Sequence, residues 1–106
     1  MSERNDQIVT GVVLGERETI TLKTLAGLCA VETRWVVELV EQGALEPLDP
    51  AQSQWEFSAV VLKRVRTAAH LRHDLELNPA GIALALDLLD QIETLRAQLN
   101  TLQSLP

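Results

Sequence analysis

The sequence has few of the residues that usually carry out chemistry. The single cysteine, Cys29, excludes a disulfide within the chain, so nothing in the cysteine content requires an oxidising compartment. Tyrosine is absent, and the five glycines at positions 11, 15, 27, 43 and 81 lack the spacing of a phosphate-binding loop. No nucleophile-elbow or zinc-protease motif is present. We therefore expect no enzyme activity and no cofactor.

Metal-ligating and nucleophilic patterns are equally sparse. His70 and His73 are three residues apart on a predicted helix and could share a metal, but a third and fourth ligand are missing. We interpret them as solvated side chains. Cys29 falls at a core-facing helix position without a matched base, which indicates a buried, inert thiol. The pattern predicts no metal site and no catalytic residue.

Long apolar runs are also missing. No run reaches the roughly 18 residues that suggest a membrane span. Residues 1–7 are polar and the apolar run 8–14 is short and interrupted, so a secretion signal is not expected either. We expect a cytoplasmic protein that does not enter a membrane.

Basic charge is scarce, because 15 acidic residues outnumber 9 basic ones and leave a net charge of −6. The imbalance lies in residues 1–57, where ten acids face four bases, whereas residues 58–106 hold five of each. Carboxylates repel phosphate, and nucleic-acid binders usually present a basic face. The first half therefore favours a basic protein partner over nucleic acid.

The chain has 106 residues, the length of one domain, and turn residues divide it into three parts. Residues 1–18 lack a helical period, and their β-branched run predicts an arm or a short strand. Residues 19–77 begin with two short helices, at 22–29 after the capping residue Thr21 and at 33–42 before Gly43. Two short helices joined by a tight turn indicate a helix-turn-helix.

The rest of this part predicts a wing and a third helix. Residues 46–54 are rich in turn formers, and residues 55–57 could form the return strand of a small hairpin. Ser58 is then expected to cap a third helix over 59–75, in which Arg72 continues the apolar period. The expected fold class is mainly α, with a small β-hairpin.

Residues 78–106 predict one long helix that begins at Asn78 and Pro79, a favourable cap and first residue. One apolar row, Ile82, Leu86 and Leu89, stops at Glu93. A second row has the 4-3-4-3 spacing of a coiled coil and consists of Leu88, Ile92, Leu95, Leu99 and Leu102. We expect this row to form a homodimer; the alternative is that it folds back on its own domain.

Two resemblances follow from these patterns. The order of elements, with residues 22–31 and 41–47, resembles the MerR-type winged helix-turn-helix regulators. Residues 55–57, 71–77 and 81–86 are similar to the CbpM family of chaperone modulators. The CbpM resemblance covers residues 20–100. It implies a protein that binds the J-domain of the DnaJ-like co-chaperone CbpA, limits stimulation of the DnaK ATPase and restrains DNA binding by CbpA.

Departures from the MerR pattern favour the same function. Those regulators place basic and aromatic residues on the second helix, where this chain has Glu38 and Glu41, and arginines before the last aromatic residue of the wing, where it has Trp55 and Glu56. Acids at these positions repel phosphate, which dominates DNA affinity. The four residues are therefore candidates for binding a basic J-domain helix.

A second candidate set lies in the most CbpM-like stretch and comprises Arg72, His73 and Asp74. The alternative for Arg72 and Asp74 is that they make only local ion pairs and cap contacts. A different function, that of a MerR-like DNA-binding transcription regulator, is supported by Lys63, Arg64 and Arg66 on the third helix and by the dimerising helix. A purely structural adaptor is a third hypothesis.

Overall fold

The computed structural model of the chain describes residues 18–104 and confirms the mainly helical class. Strand β1 leads directly into helix α1, a tight turn joins α1 to α2, and a longer loop reaches β2, which is followed by α3 and the long α4. The bounds are Thr19–Thr21 for β1, Leu22–Leu28 for α1, Thr33–Glu41 for α2, Glu56–Ser58 for β2, Val61–Leu75 for α3 and Pro79–Gln103 for α4.

The helix-turn-helix forms where the capping residues predict it. The Thr21 hydroxyl accepts a hydrogen bond of 3.1 Å from the backbone N–H of Thr24 and so caps α1. The turn after α1 passes through Ala30, whose φ of 56° is left-handed. Helix α2 ends before Gly43, which has a φ of 81°. A left-handed residue after a helix lets the next N–H groups bond back to the last turn, as Ala44 does to Leu39 at 2.9 Å.

The wing is a two-stranded antiparallel sheet whose first strand is missing from the sequence-based prediction. β1 and β2 pair in the register Thr19 with Ser58, Ile20 with Phe57 and Thr21 with Glu56. Three residues are too few to display a strand period, so β1 could not be recognised by pattern. The strand or arm expected within residues 1–18 falls almost wholly outside the described residues. The return strand, expected at 55–57, begins one residue later.

Helix α3 begins at Val61, two residues later than predicted, and Ser58 does not serve as its cap residue. Ser58 instead ends β2, and its hydroxyl accepts a 3.4 Å hydrogen bond from the N–H of Val60. The N–H of Ala59 donates to the carbonyl oxygen of Glu18 at 2.9 Å. The backbone at this point is still bonded to the hairpin, which delays the start of the helix.

The core lies between the helix-turn-helix, the two-stranded sheet, α3 and the first turns of α4. Its largest fully buried side chains come from every element after β1 and comprise Phe57, Leu25, Leu39, Ile82, Val36 and Val65. Leu86 is the last buried residue on α4. Leu89, predicted to continue the Ile82 row, is 44% exposed because α4 leaves the domain there.

Arg64 of α3 fixes the direction in which α4 leaves the domain. Its Nε donates to the carbonyl oxygen of Ala44, just after α2, at 2.6 Å. Its Nη1 donates to both carboxylate oxygens of Asp90 on α4, at 3.1 and 3.0 Å. One half-buried guanidinium therefore joins three elements, and bonds of this charge-assisted kind are stronger than neutral ones.

The coiled-coil row does not fold back on its own domain in the described chain. Leu88, Ile92, Leu95, Leu99 and Leu102 are between 44% and 65% exposed. Among the helices of residues 18–104, none combines the length and the apolarity needed to cross a membrane. The exposed row is therefore a feature of α4 that its own domain leaves uncovered.

Two glycines provide a matched test of the turn that ends α2. Gly43→Ala should lower the free energy of unfolding by about 1 kcal/mol or more, because alanine is strained in the left-handed conformation. Gly27→Ala, inside α1, should raise it by about 0.5–1 kcal/mol. A Cβ at either position would meet nothing within 4 Å, so backbone conformation is the main difference between them. Urea unfolding followed by circular dichroism measures both; equal effects would contradict this account of the turn.

Candidate partner-binding surfaces

A groove lies between the start of α1, one face of α2 and the loop that precedes β2. Its volume is about 460 Å³. We call it the wing groove; its lining residues are Thr21, Leu22, Lys23, Thr33, Val37, Ser53, Gln54, Trp55 and Glu56. The groove therefore contains Trp55 and Glu56, two of the residues that the sequence predicts for partner binding. Its other walls were not foreseen, because loop and helix come together only in the fold.

The wall formed by Trp55 is held in place by several contacts. The indole Nε1–H donates to the carbonyl oxygen of Pro50 at 3.3 Å. The ring meets that of Phe57 edge to face, with centroids 6.4 Å apart and planes at 84°. The N–H of Leu48 donates to the carbonyl oxygen of Glu56 at 2.8 Å, which fastens the loop to β2. The wing groove is therefore largely preformed.

Helix α2 and the wing groove together expose slightly more acids than bases. Residues 18–57 contain seven acids and two bases, Lys23 and Arg34. Glu41 lies one helical turn from Val37 on the same face of α2. Glu38, which follows Val37 in sequence, is also exposed. Glu56 and Lys23 themselves line the groove. The structure thus leaves Glu38, Glu41 and Glu56 exposed on the helix and wing that the MerR pattern would use for DNA.

The second candidate set occupies a different place. Arg72, near the end of α3, lays its guanidinium over the Trp35 ring, 4.1 Å from the centroid. Its Nη1 donates to Glu32 Oε1 at 2.9 Å, and this hydrogen bond holds the pKa of Glu32 below its ordinary value. Arg72 therefore ties the end of α3 to the start of α2. Its place in the apolar period of the helix was the signal for this contact.

His73 and Asp74 stand in solvent beside Arg72. Their side chains are 88% and 68% exposed, and His73 Nδ1 lies 2.9 Å from Asp74 Oδ1. The Trp35 ring contacts Arg72, whereas Val37 lines the wing groove. These two residues of α2 are two positions apart in sequence and therefore about 200° apart around the helix. Arg72 and the wing groove thus lie on different faces of α2, and Glu38 lies between them, about 60° from Trp35 and about 100° from Val37.

Two of the three bases that would support DNA binding make contacts within the chain. Arg64 is bonded to Ala44 and Asp90. Arg66 lies beside the half-buried Cys29, where burial raises the pKa of the thiol and the charge and hydrogen bond of Arg66 oppose that rise. Lys63 is exposed. Within residues 18–104 no group of three or more histidine, cysteine, aspartate or glutamate side chains could hold a metal ion.

Comparisons with known proteins agree with this architecture. The helix-turn-helix, the two-stranded wing and the projecting helix are the elements expected of a MerR-type protein, and the family described as MerR HTH family regulatory protein matches residues 20–104. The chaperone modulatory protein CbpM of Coxiella burnetii (strain Dugway 5J108-111) is 37% identical over 97 residues, 92% of each chain. The protein of the same name from Pseudomonas entomophila (strain L48) is 33% identical over 84 residues, 79% of this chain and 83% of that one. The chain belongs to the CbpM family of chaperone modulatory proteins.

The contacts of Arg72 and Asp74 predict unequal effects on stability. Arg72→Ala removes the stack on Trp35 and the ion pair with Glu32, so it should lower the free energy of unfolding by about 1 kcal/mol. Asp74→Ala removes only an exposed contact and should change it by less than about 0.5 kcal/mol. Urea unfolding at pH 7 measures both variants.

The pH dependence of the free energy of unfolding supplies a second test of the Arg72–Glu32 ion pair. A carboxyl group whose pKa is lowered by folding stabilises the fold above its unfolded pKa and loses that effect as pH falls through the folded pKa. The difference in free energy of unfolding between wild type and Arg72→Ala should therefore become smaller as the pH falls. It should stay above zero, because the contact between Arg72 and Trp35 does not depend on the charge of Glu32. An Arg72→Ala protein as stable as wild type at pH 7 would contradict the structural role of Arg72.

Proposed function

We propose that this protein binds the J-domain of a CbpA-like co-chaperone and limits the stimulation of the DnaK ATPase by that partner. The observation that carries the proposal is the exposure of Glu38, Glu41 and Glu56 on α2 and the wing of a MerR scaffold. Family membership supports it, because the relatives are named chaperone modulatory proteins. A J-domain that presents a basic helix would match this surface in charge.

Inhibition of the co-chaperone in this proposal requires no catalytic step. A J-domain covered by the modulator cannot present the same face to DnaK, so binding alone accounts for the effect. Complementary charge accelerates association and orients the partners more than it adds affinity. The candidate contacts are Glu38, Glu41, Trp55 and Glu56, with Arg72, His73 and Asp74 as the second set. We propose a cytoplasmic protein partner and not nucleic acid.

We also propose that the protein is a homodimer. The row Leu88, Ile92, Leu95, Leu99 and Leu102 keeps the coiled-coil spacing and is left exposed by its own domain. An exposed leucine row on a projecting helix is costly in water. A second copy of α4 would cover it with the same spacing.

The J-domain prediction can be tested with the purified full-length chain. Calorimetry should show saturable binding to the J-domain of the cognate co-chaperone, and the DnaK ATPase stimulated by that co-chaperone should fall as the modulator is added. Raising salt from about 50 to 500 mM should mainly slow association, because screening weakens steering between exposed charges. Absence of any J-domain binding would overturn the proposed function.

The second candidate set has its own variant. Asp74→Lys reverses an exposed charge without disturbing Arg72, so a folded variant that binds more weakly would assign the end of α3 to the interface. A folded variant that binds as wild type would remove Asp74 from the proposed contacts.

The dimer prediction rests on the exposed row alone. Ile92→Asp combined with Leu95→Asp should yield monomers by light scattering, because the seam would have to bury charges. Thr94→Asp combined with Ala97→Asp is the matched control, since those positions of the same helix face away from the seam. A wild-type protein that is monomeric at high concentration would show that the row has another use.

A further inference from the structure

The wing groove has the features of a socket for an apolar side chain. Three of its walls carry half-buried apolar side chains, Leu22 from α1, Val37 from α2 and Trp55 from the loop. Its volume of about 460 Å³ falls in the range of roughly 300–1,000 Å³ that small binding pockets occupy. Trp55 is already fixed by Pro50 and Phe57, so little ordering is needed when a ligand enters.

The backbone beside the groove is not free to add a strand. The outward carbonyl oxygen of Glu56 already accepts a hydrogen bond from the N–H of Leu48. Pairing of an extended peptide along the outer edge of β2 would have to break this bond. Insertion of a side chain into the wing groove leaves this bond intact.

The rim of the groove selects the charge of the ligand. Glu56 lines the groove, Glu41 lies one turn along α2 from Val37, and Glu38 is exposed next to it. The bases nearby are Lys23, which lines the groove, and Arg34 on α2. Helix α2 and the groove lining together expose three acids and two bases, and this excess favours a partner with basic residues beside its apolar anchor.

We propose that the wing groove receives an apolar side chain from an amphipathic helix of the partner, with basic residues of that helix set against Glu38, Glu41 and Glu56. This inference rests on the proposed function, since the helix would belong to the J-domain. In this inference the contact surface is the first candidate set, and Arg72 serves only to position α2. The first set consists of Glu38, Glu41, Trp55 and Glu56.

Filling the groove without adding charge is the sharpest test. Val37→Trp should raise the Kd for the purified J-domain by about tenfold or more, since a central apolar anchor commonly carries a large share of binding energy. Ser53→Trp fills the same groove from the loop, so a folding defect in one variant does not remove the test. Val60→Trp, at an exposed valine outside the groove, is the matched control and should bind within about twofold of wild type.

Charge reversal gives an independent readout. Glu56→Lys should slow association several-fold at low salt and less at high salt, whereas Glu93→Lys, on the projecting part of α4, should leave the association rate near wild type. Circular dichroism confirms that each variant is folded.

The outcomes separate this inference from the proposed function. If Val37→Trp and Ser53→Trp are both folded and bind the J-domain as tightly as wild type does, the wing groove is not the contact surface. The proposed binding of the J-domain would still stand. A wild-type chain that binds no J-domain would overturn the proposed function and the wing groove with it. Loss of binding in Val37→Trp and Ser53→Trp, with Val60→Trp intact, would support the groove.

Discussion

Arg64 makes the polar contact that ties the start of the projecting part of α4 to the rest of the fold. It bonds the carbonyl oxygen after α2 and the carboxylate of Asp90 on α4, so three helices meet at one guanidinium. The buried part of α4 ends at Leu86, before this clamp, and the helix beyond it leaves the domain. The apolar row from Leu88 to Leu102 is exposed as a consequence. The ion pair with Asp90 also neutralises Arg64, a base that a DNA-binding protein could use to contact phosphate.

The proposed contact surface follows from a second constraint, which is the charge of α2 and the wing. Glu38, Glu41 and Glu56 are exposed where a DNA-binding relative of this fold would need bases, while Arg64 and Arg72 make bonds within the chain. Carboxylates at these positions repel the phosphate backbone and attract basic protein surfaces. In the proposed function, a scaffold of the DNA-binding type serves protein recognition through the charges on its surface.

Sequence reasoning succeeded where a local signal decides the structure. Thr21, Gly43 and the Asn78–Pro79 pair mark helix ends through their own backbone chemistry, and each is confirmed. It failed where contacts between distant segments decide: β1 exists because Ile20 pairs with Phe57, and α3 starts late because Ala59 stays bonded to Glu18. The wing groove could be predicted only in part, since Trp55 and Glu56 stand out in sequence but their approach to Val37 depends on the fold. The contacts of Arg72 with Trp35 and Glu32 were not foreseen, because the structural alternative considered for Arg72 was only local ion pairs and cap contacts.

The central claim, that this MerR scaffold recognises protein and not DNA, is tested most directly by titrating one preparation with two ligands at near-physiological salt. Fluorescence anisotropy would compare the cognate J-domain with duplex DNA from the promoters of the organism. The account predicts saturable J-domain binding and no duplex complex tighter than about 10⁻⁶ M, the tight end of non-specific binding. A promoter-specific complex of submicromolar affinity, with no binding to the J-domain, would contradict it.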